Sequence, residues 1–474
     1  MTGRARTALI GIVVLAAALR FPTLGAQSYW ADEAATVDVL RHGAGDLLGA
    51  VRDQESTPPL YYVLAWVWTQ VLGDGEAALR SLSALAGVAT VPVLAAVARR
   101  LAGVRAALIA ALLVATNPLL VWFSQEARAY ALLVLLAAVS VLLLQRALES
   151  PTAPRLVAWG VVAAFAFATH FFALFLVLGE AIWLVWALRG QARMAAVALA
   201  APFIAGLALL PLALDQREAG RAGFISQTPL GERVLQVPKQ LLVGYDAPAE
   251  ALLTALGAAL ALLAVAWAVR VRQDAVRRLG LVGLGSVLVP VGLALAGDDY
   301  VVTRNLIAAV VPLIALLGVG FAALPARTGL AAAALAGVLG TGTVLAVQAD
   351  PAYQREDWRA AVRALGPAPA GPRAVVVVPG SGRVAAQHYL GGGTVLRRAA
   401  PAAQLAFVAV AGRGTGAAPA ARRLAPLAIL PPPVTGDDGH WAARALTLAP
   451  GEVVDPLALQ SAVPEAAVLL VPGR

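Results

Sequence analysis

The chain has no cysteine. That excludes disulfides, cysteine-ligated metal and thiol nucleophiles, and it leaves the redox compartment unread. It also has little charge. Only 13% of its 474 residues are Asp, Glu, Lys or Arg, against about 25% in soluble domains. With 60% hydrophobic residues and a mean hydropathy of +0.78, the class that remains is a polytopic membrane protein. Lysine is nearly absent: Lys239 is the only one, so arginine supplies almost all of the net charge of +9. Those arginines sit in short loops between apolar runs, which is a pattern of membrane topology and not of nucleic-acid binding. There is no internal repeat, and the middles of the apolar runs are nearly free of charge. Both absences weigh against a transporter or flippase, where paired repeats and midplane polar groups are expected.

What the chain does have is a series of apolar runs. A bilayer core takes about 20 residues per helix. Runs at 7–24, 79–98, 105–122, 129–147, 156–170, 172–188, 194–213, 251–269, 279–296, 302–323 and 328–347 predict about eleven spans. The first reads as an uncleaved helix and not as a signal peptide. Arginines cluster at Arg4 and Arg6; Arg99, Arg100 and Arg105; Arg146 and Arg155; Arg189 and Arg193; Arg270, Arg272, Arg277 and Arg278; and Arg327. These fall on alternate sides of successive spans, so all can face the cytoplasm. The N-terminus is then inside. The loops at 25–58, 123–128, around 170, 214–250 and 297–301 face outward, as does everything after 349.

The segment 60–73 is apolar but only about 14 residues long, too short for a span. Counting it would put every later arginine cluster outside. It carries Tyr61, Tyr62, Trp66 and Trp68, and aromatic rings favour the membrane boundary. It is expected to lie in the outer interface, with Pro59 near its first turn, where a missing N–H costs nothing. The expected fold is therefore mainly α, with two domains: 1–349 in the membrane and a small α/β domain at 350–474 outside it. In the latter, strands are expected at 375–378, 394–396, 407–410 and 468–471, a turn at Gly380-Ser381-Gly382 and a helix at 384–390.

The outward loops hold the polar residues. The first opens with Trp30-Ala31-Asp32-Glu33-Ala34 and closes with Pro58-Pro59-Leu60-Tyr61-Tyr62. Between them lie Asp38, Asp46, Asp53 and Glu55, and only Arg41 and Arg52 oppose these acids. Ser124-Gln125-Glu126-Ala127-Arg128-Ala129-Tyr130 follows the third span and Thr169-His170 the fifth. Arg304-Asn305 opens the tenth, behind Asp298, Asp299 and Tyr300. Carboxylates, a histidine and arginines at one depth suit an active site beside the bilayer. Asp32 is the best candidate base, since a carboxylate works when within about 3 Å of the proton it removes. Glu33 and Glu126 could orient an acceptor or hold a divalent cation, Mg or Mn. Arg128 and Arg304 suit a phosphate, which arginine matches bidentately.

Each of these residues also has a plainer reading. Glu33 could simply favour a helix start. Glu126 and Arg128 could form a structural ion pair. His170 could be a hydrogen-bonded interfacial residue, and Arg304 a headgroup anchor. Tyr61 and Tyr62 read as a belt before they read as a sugar platform. Asp298 and Asp299 read as a solvated turn.

In these motifs the chain resembles the multi-pass GT-C glycosyltransferases that use polyprenyl-phosphate sugars. That group includes protein O-mannosyltransferases, lipid A aminoarabinose transferases and related bacterial mannosyltransferases. The matching pieces occur in order. Arg20 and Trp30-Ala31-Asp32-Glu33-Ala34 resemble the acidic motif after the first span. Pro58-Pro59-Leu60-Tyr61-Tyr62 resembles the start of the juxtamembrane helix. Arg80-Ser81-Leu82-Ser83-Ala84 and Arg99-Arg100-Leu101-Ala102-Gly103 resemble the frame of the second span. The loop from Ser124 to Tyr130 and the pair Thr169-His170 resemble later outer segments, and Arg355-Glu356-Asp357-Trp358-Arg359 the entry to the outer domain. Residues 1–175 carry most of the likeness. Many relatives have histidine where this chain has Thr57.

The resemblance implies transfer of a sugar from a polyprenyl phosphate to a hydroxyl of a glycan, lipid or protein, at the outer face of the cytoplasmic membrane. It implies Asp32, Glu33 and Glu126 as catalytic residues, and Arg128, Arg304, Tyr61, Tyr62 and His170 as substrate-binding ones. The rival expectations are a transporter or flippase, and a membrane-anchored binding protein that works through residues 350–474.

Overall fold

The computed structural model describes residues 1–221, 223–411, 419–436 and 438–473. By backbone proximity the chain forms two units, Met1–Leu24 with Gly43–Ala346, and Gly25–His42 with Val347–Arg474. Compared with a division at 349/350, the second boundary moves by three residues and one long stretch changes sides. Residues 25–42, which carry Asp32 and Glu33, group with the C-terminal region.

The first unit is helical. Each apolar run expected to span is a helix or a pair of helical pieces, from Gly3–Ala18 to Ala326–Ala349. Among the described residues, seven helices are long and apolar enough to cross a bilayer, while Leu60–Leu72, Ala153–Thr169 and Ala173–Ala187 are shorter apolar helices. One of the seven, Glu76–Thr116, has 41 residues, about 60 Å at 1.5 Å per residue, twice a bilayer core. It is broken at Ala102 and at Gly103, whose φ is +82°. Glycine enters that left-handed region without a Cβ penalty. The Arg99–Gly103 motif is thus the turn between two spans. Leu60–Leu72, at 13 residues, reaches about 20 Å and is short of a crossing.

Several motif residues turn out to be structural ties. Arg20 is buried, and its Nη1 donates to the carbonyls of Ala16 (3.1 Å) and Ala115 (2.9 Å), its Nη2 to Val114 O (3.2 Å) and its Nε to Ser124 Oγ (3.1 Å). A cation fits there because the last carbonyls of a helix lack intrahelical donors. Gln125 Nε2 donates to Arg20 O (2.9 Å) and Thr23 Oγ1 (2.7 Å), and Arg80 Nη1 to Leu24 O (2.8 Å). These bonds lock the ends of the first three spans together. Inside the bundle, Glu180 is a buried carboxylate that accepts from the hydroxyl of Ser140 and from Trp159 Nε1 (2.8 Å). Three helices thus meet at one polar point, an exception to the charge-poor span interiors.

The second unit holds a sheet. Its strands are β1 Arg373–Val378, β2 Thr394–Val395, β3 Ala400–Pro401, β4 Gln404–Val410, β5 Val434–Thr435, β6 Trp441–Thr447, β7 Val453–Val454 and β8 Ala467–Val471. Six form one sheet in the order β2-β8-β1-β4-β6-β5, and β3 pairs with β7. β1 and β4 run parallel and the other pairs are antiparallel. Every residue of β1 is buried, as its unbroken valine run requires for a strand covered on both faces. The helix Arg383–Leu390 follows β1 after the turn Gly380–Gly382. The same unit contains the helix Ala31–Leu40.

Candidate active site

In the first unit the polar loop ends converge on Arg128. The helix Leu47–Gln54 stops at Glu55, whose backbone is extended, and the paired prolines that follow cannot continue a helix. Gln216 Nε2 donates to Val51 O (3.1 Å) and Thr57 O (3.4 Å). Arg221 donates to the carbonyls of Glu55 (2.6 Å) and Asp53. With its backbone pinned, the Glu55 carboxylate meets Arg128 fork to fork, Nη1 to Oε1 at 2.7 Å and Nη2 to Oε2 at 3.0 Å. Both are buried, Glu55 at 4% exposure and Arg128 at 7%. The Arg128 guanidinium also lies 6.0 Å from the centre of the Tyr62 ring. The hydroxyls of Tyr62 and Thr57 share a hydrogen bond of 2.9 Å, so Thr57 anchors the aromatic pair. Tyr61 meets Tyr62 edge-on, with ring centres 5.6 Å apart.

Around this pair sit the other sequence candidates of the unit. Glu126 is buried, and its carbonyl accepts from Arg128 N (2.8 Å). His170 lies just past the helix Ala153–Thr169. Its Nδ1 accepts from Phe172 N (3.3 Å), and its ring neighbours those of Tyr130 and Phe172. Burial, then the positive charges of Arg128 and Arg304, push its pKa down to about 3. The ring is therefore neutral, and with Nδ1 accepting, Nε2 carries the proton as a donor. Arg304, half-buried, stands over the Phe224 ring at 5.0 Å.

Asp298 and Asp299 are more than a solvated turn. Asp298 pairs with Arg217. Asp299 accepts from both guanidinium nitrogens of Arg233, with Nη1 at 2.9 Å, and from Val301 N at 3.1 Å. Its pKa is lowered, chiefly by the Arg233 hydrogen bond. These pairs fix the approach to Arg304. Sequence reasoning counted Glu55 among the loop acids without seeing its partner 73 residues away, and it missed the tie made by Arg221. The only signal for either was an acid or a base in an otherwise apolar chain.

Asp32 and Glu33 stand in the second unit, in the first turn of Ala31–Leu40. Carboxylates there oppose the positive helix end. Glu33 is buried and Asp32 half-buried. Thr36 Oγ1 donates to Asp32 O (3.2 Å), a bond within the first helical turns. Neighbours on a helix point about 100° apart, which gives the two acids different surroundings. Among the described residues no group of three or more His, Cys, Asp or Glu is placed to hold a metal ion. Glu33 belongs to the second unit and Glu126 to the first.

Comparison with known proteins gives two kinds of likeness. Residues 56–213, a third of the chain, match the family described as dolichyl-phosphate-mannose-protein mannosyltransferase. Among solved structures, ArnT from Cupriavidus metallidurans in the apo state aligns with a TM-score of 0.61 at 13% identity, covering 94% of this chain and 98% of that one. The same protein bound to undecaprenyl phosphate aligns with a TM-score of 0.59 at 13% identity, covering 92% and 97%. No curated protein matches significantly. At that identity the likeness is one of fold, and it runs nearly the whole length of both chains.

Proposed function

We propose that this chain, a multi-pass membrane protein with the ArnT-like GT-C fold, is a glycosyltransferase that moves a sugar from a polyprenyl phosphate to an acceptor hydroxyl. The observation that carries the reading is the buried Arg128 fork, held by Glu55 beside the Tyr62 ring, in a fold shared with a protein crystallised with undecaprenyl phosphate. The family likeness of 56–213 supports a phosphate-linked sugar donor.

The chemistry asks for few groups. The acceptor oxygen attacks the anomeric carbon, the bond from that carbon to the phosphate oxygen breaks, and polyprenyl phosphate leaves. The acceptor proton goes to the Asp32 carboxylate, which is half-buried in the first turn of its helix. Arg304 meets the donor phosphate, whose charge grows as the bond breaks. His170 offers a neutral N–H to a phosphate or sugar oxygen, and Tyr61 and Tyr62 a face for the sugar. Arg128 serves the site through Glu55, which holds its fork. Glu126 and Glu33 orient the acceptor. The reaction belongs at the outer face of the cytoplasmic membrane, given the arginine alternation. A mannosyl donor is the first to test, because of the family description.

The test is the glycan and glycolipid profile of cells lacking the protein, complemented with wild type and with Asp32→Asn. A glycan or glycolipid lost on deletion, restored by wild type and not by Asp32→Asn, is expected. An unchanged profile would count against transfer.

A further inference from the structure

We infer that the C-terminal unit is the device that positions the Asp32 carboxylate, with Ser28 and Tyr389 as its positioning residues. This rests on the reading of Asp32 as the base. Five successive residues, 25–29, precede the acidic helix, and each is tied to 355–359 or 388–389. Arg359 Nη2 donates to Ala26 O (2.8 Å) and reaches Gly25 O at 3.5 Å. Gln27 Oε1 accepts from Arg355 N (3.1 Å). Ser28 Oγ donates to Glu356 O (2.9 Å) and accepts from Trp358 N (3.1 Å). Tyr29 N donates to Tyr389 Oη (2.6 Å), and the Tyr29 ring meets His388 edge-on at 5.4 Å.

The Arg355-Glu356-Asp357-Trp358-Arg359 motif, left by the sequence as a mere domain entry, thereby acquires a task. Four of its five residues bind 25–28. The fifth, Asp357, caps the helix Trp358–Arg363 by accepting from Ala360 N (3.0 Å), and that helix start presents the Trp358 N–H to Ser28. Ser28 is 1% exposed and Tyr29 0% exposed, so neither bond is exchanged freely for water. Asp32 follows three residues after Tyr29, in the first helical turn. The N-cap Trp30 makes no side-chain capping bond, so the ties at 25–29 set where the helix begins. Side chains that hold a reacting group matter because a misplacement of about 1 Å can cost roughly 10²-fold in rate.

The test is a double-mutant cycle. Ser28→Ala and Tyr389→Phe are each made in wild type and in Asp32→Asn, and transfer from a purified polyprenyl-phosphate sugar is measured per folded molecule. Each single variant should lower kcat roughly 10- to 100-fold with the donor KM unchanged. In Asp32→Asn neither should have any further effect, because there is no base left to position. Arg359→Lys, which keeps a donor for Ala26 O, should lose less than Arg359→Ala. If Asp32→Asn is impaired and the effects of Ser28→Ala and Tyr389→Phe multiply with it, the residues are structural and the inference is overturned. Wild-type kcat in both single variants also overturns it. If Asp32→Asn itself turns over normally, the reading of the base fails first, and the inference falls with it.

Discussion

The Glu55–Arg128 pair allows a prediction with a worked magnitude. Glu55→Ala removes two hydrogen bonds from the Arg128 cation, which is 7% exposed. Two charge-assisted hydrogen bonds at roughly 1.5–3 kcal/mol each give about 3–6 kcal/mol. The general cost of breaking one side of a buried ion pair, about 3–5 kcal/mol, agrees. Glu55→Gln retains one acceptor oxygen, so about half of that should be lost. The bond from Arg221 goes to the Glu55 carbonyl and survives in every variant, so the loop stays tied. Replacing both partners with apolar residues, Glu55→Leu with Arg128→Met, removes both buried charges together and should recover most of the stability. The assay is thermal unfolding of the purified protein in micelles, followed by tryptophan fluorescence. The expected order is wild type, then the double variant, then Glu55→Gln, then Glu55→Ala. A Glu55→Ala protein that unfolds at the wild-type temperature would refute the reasoning. So would a double variant as unstable as the two single changes added together.

Three further outcomes are expected. Asp32→Asn keeps shape and removes basicity, so turnover should fall roughly 10²–10⁴-fold with donor binding little changed; near wild-type kcat in a folded variant would move the role to Glu33 or Glu126. Arg304→Ala should weaken donor binding by about 1.5–3 kcal/mol, the worth of one charge-assisted phosphate contact; an unchanged Kd in a titration with polyprenyl-phosphate sugar would leave Arg304 an anchor. His170, held at about 3 in the folded protein, has an unfolded value of about 6.5. Below that pH the unfolded chain takes up a proton that the folded one refuses, so stability should fall as pH drops from 7 to 5. Unfolding temperatures across that range should show a smaller fall in His170→Gln, and an identical fall would contradict the assignment.

Much of the membrane unit could be read from the sequence because one physical constraint dominates it. Apolar length located the helices, and Gly103 marks the turn inside a 41-residue helix. In the second unit the valine run of β1 and the segments of β2, β4 and β8 were legible as strands. β6, Trp441–Thr447, was not, since Trp-Ala-Ala-Arg-Ala-Leu-Thr favours helix by composition. It is a strand because β4 and β5 pair with it on both sides, and tertiary context overrides propensity. The long-range pairings were also hidden. Nothing in the sequence of the outer loops announces that Glu55 binds Arg128, that Asp299 binds Arg233, or that residues 25–29 bind 355–359 and 389. Motifs showed which residues were unusual. Only the fold shows which of them tie helices together, as Arg20, Arg80 and Gln125 do.

The most direct test of the central claim is the fate of a purified donor. Wild-type protein in liposomes is supplied with a radiolabelled polyprenyl-phosphate sugar, mannosyl first, and a cell-envelope extract as the source of acceptor. The account predicts that label moves to an acceptor while free polyprenyl phosphate appears in equal amount, and that Asp32→Asn slows both together. Label that crosses the bilayer still joined to its lipid, with no polyprenyl phosphate released, would contradict it.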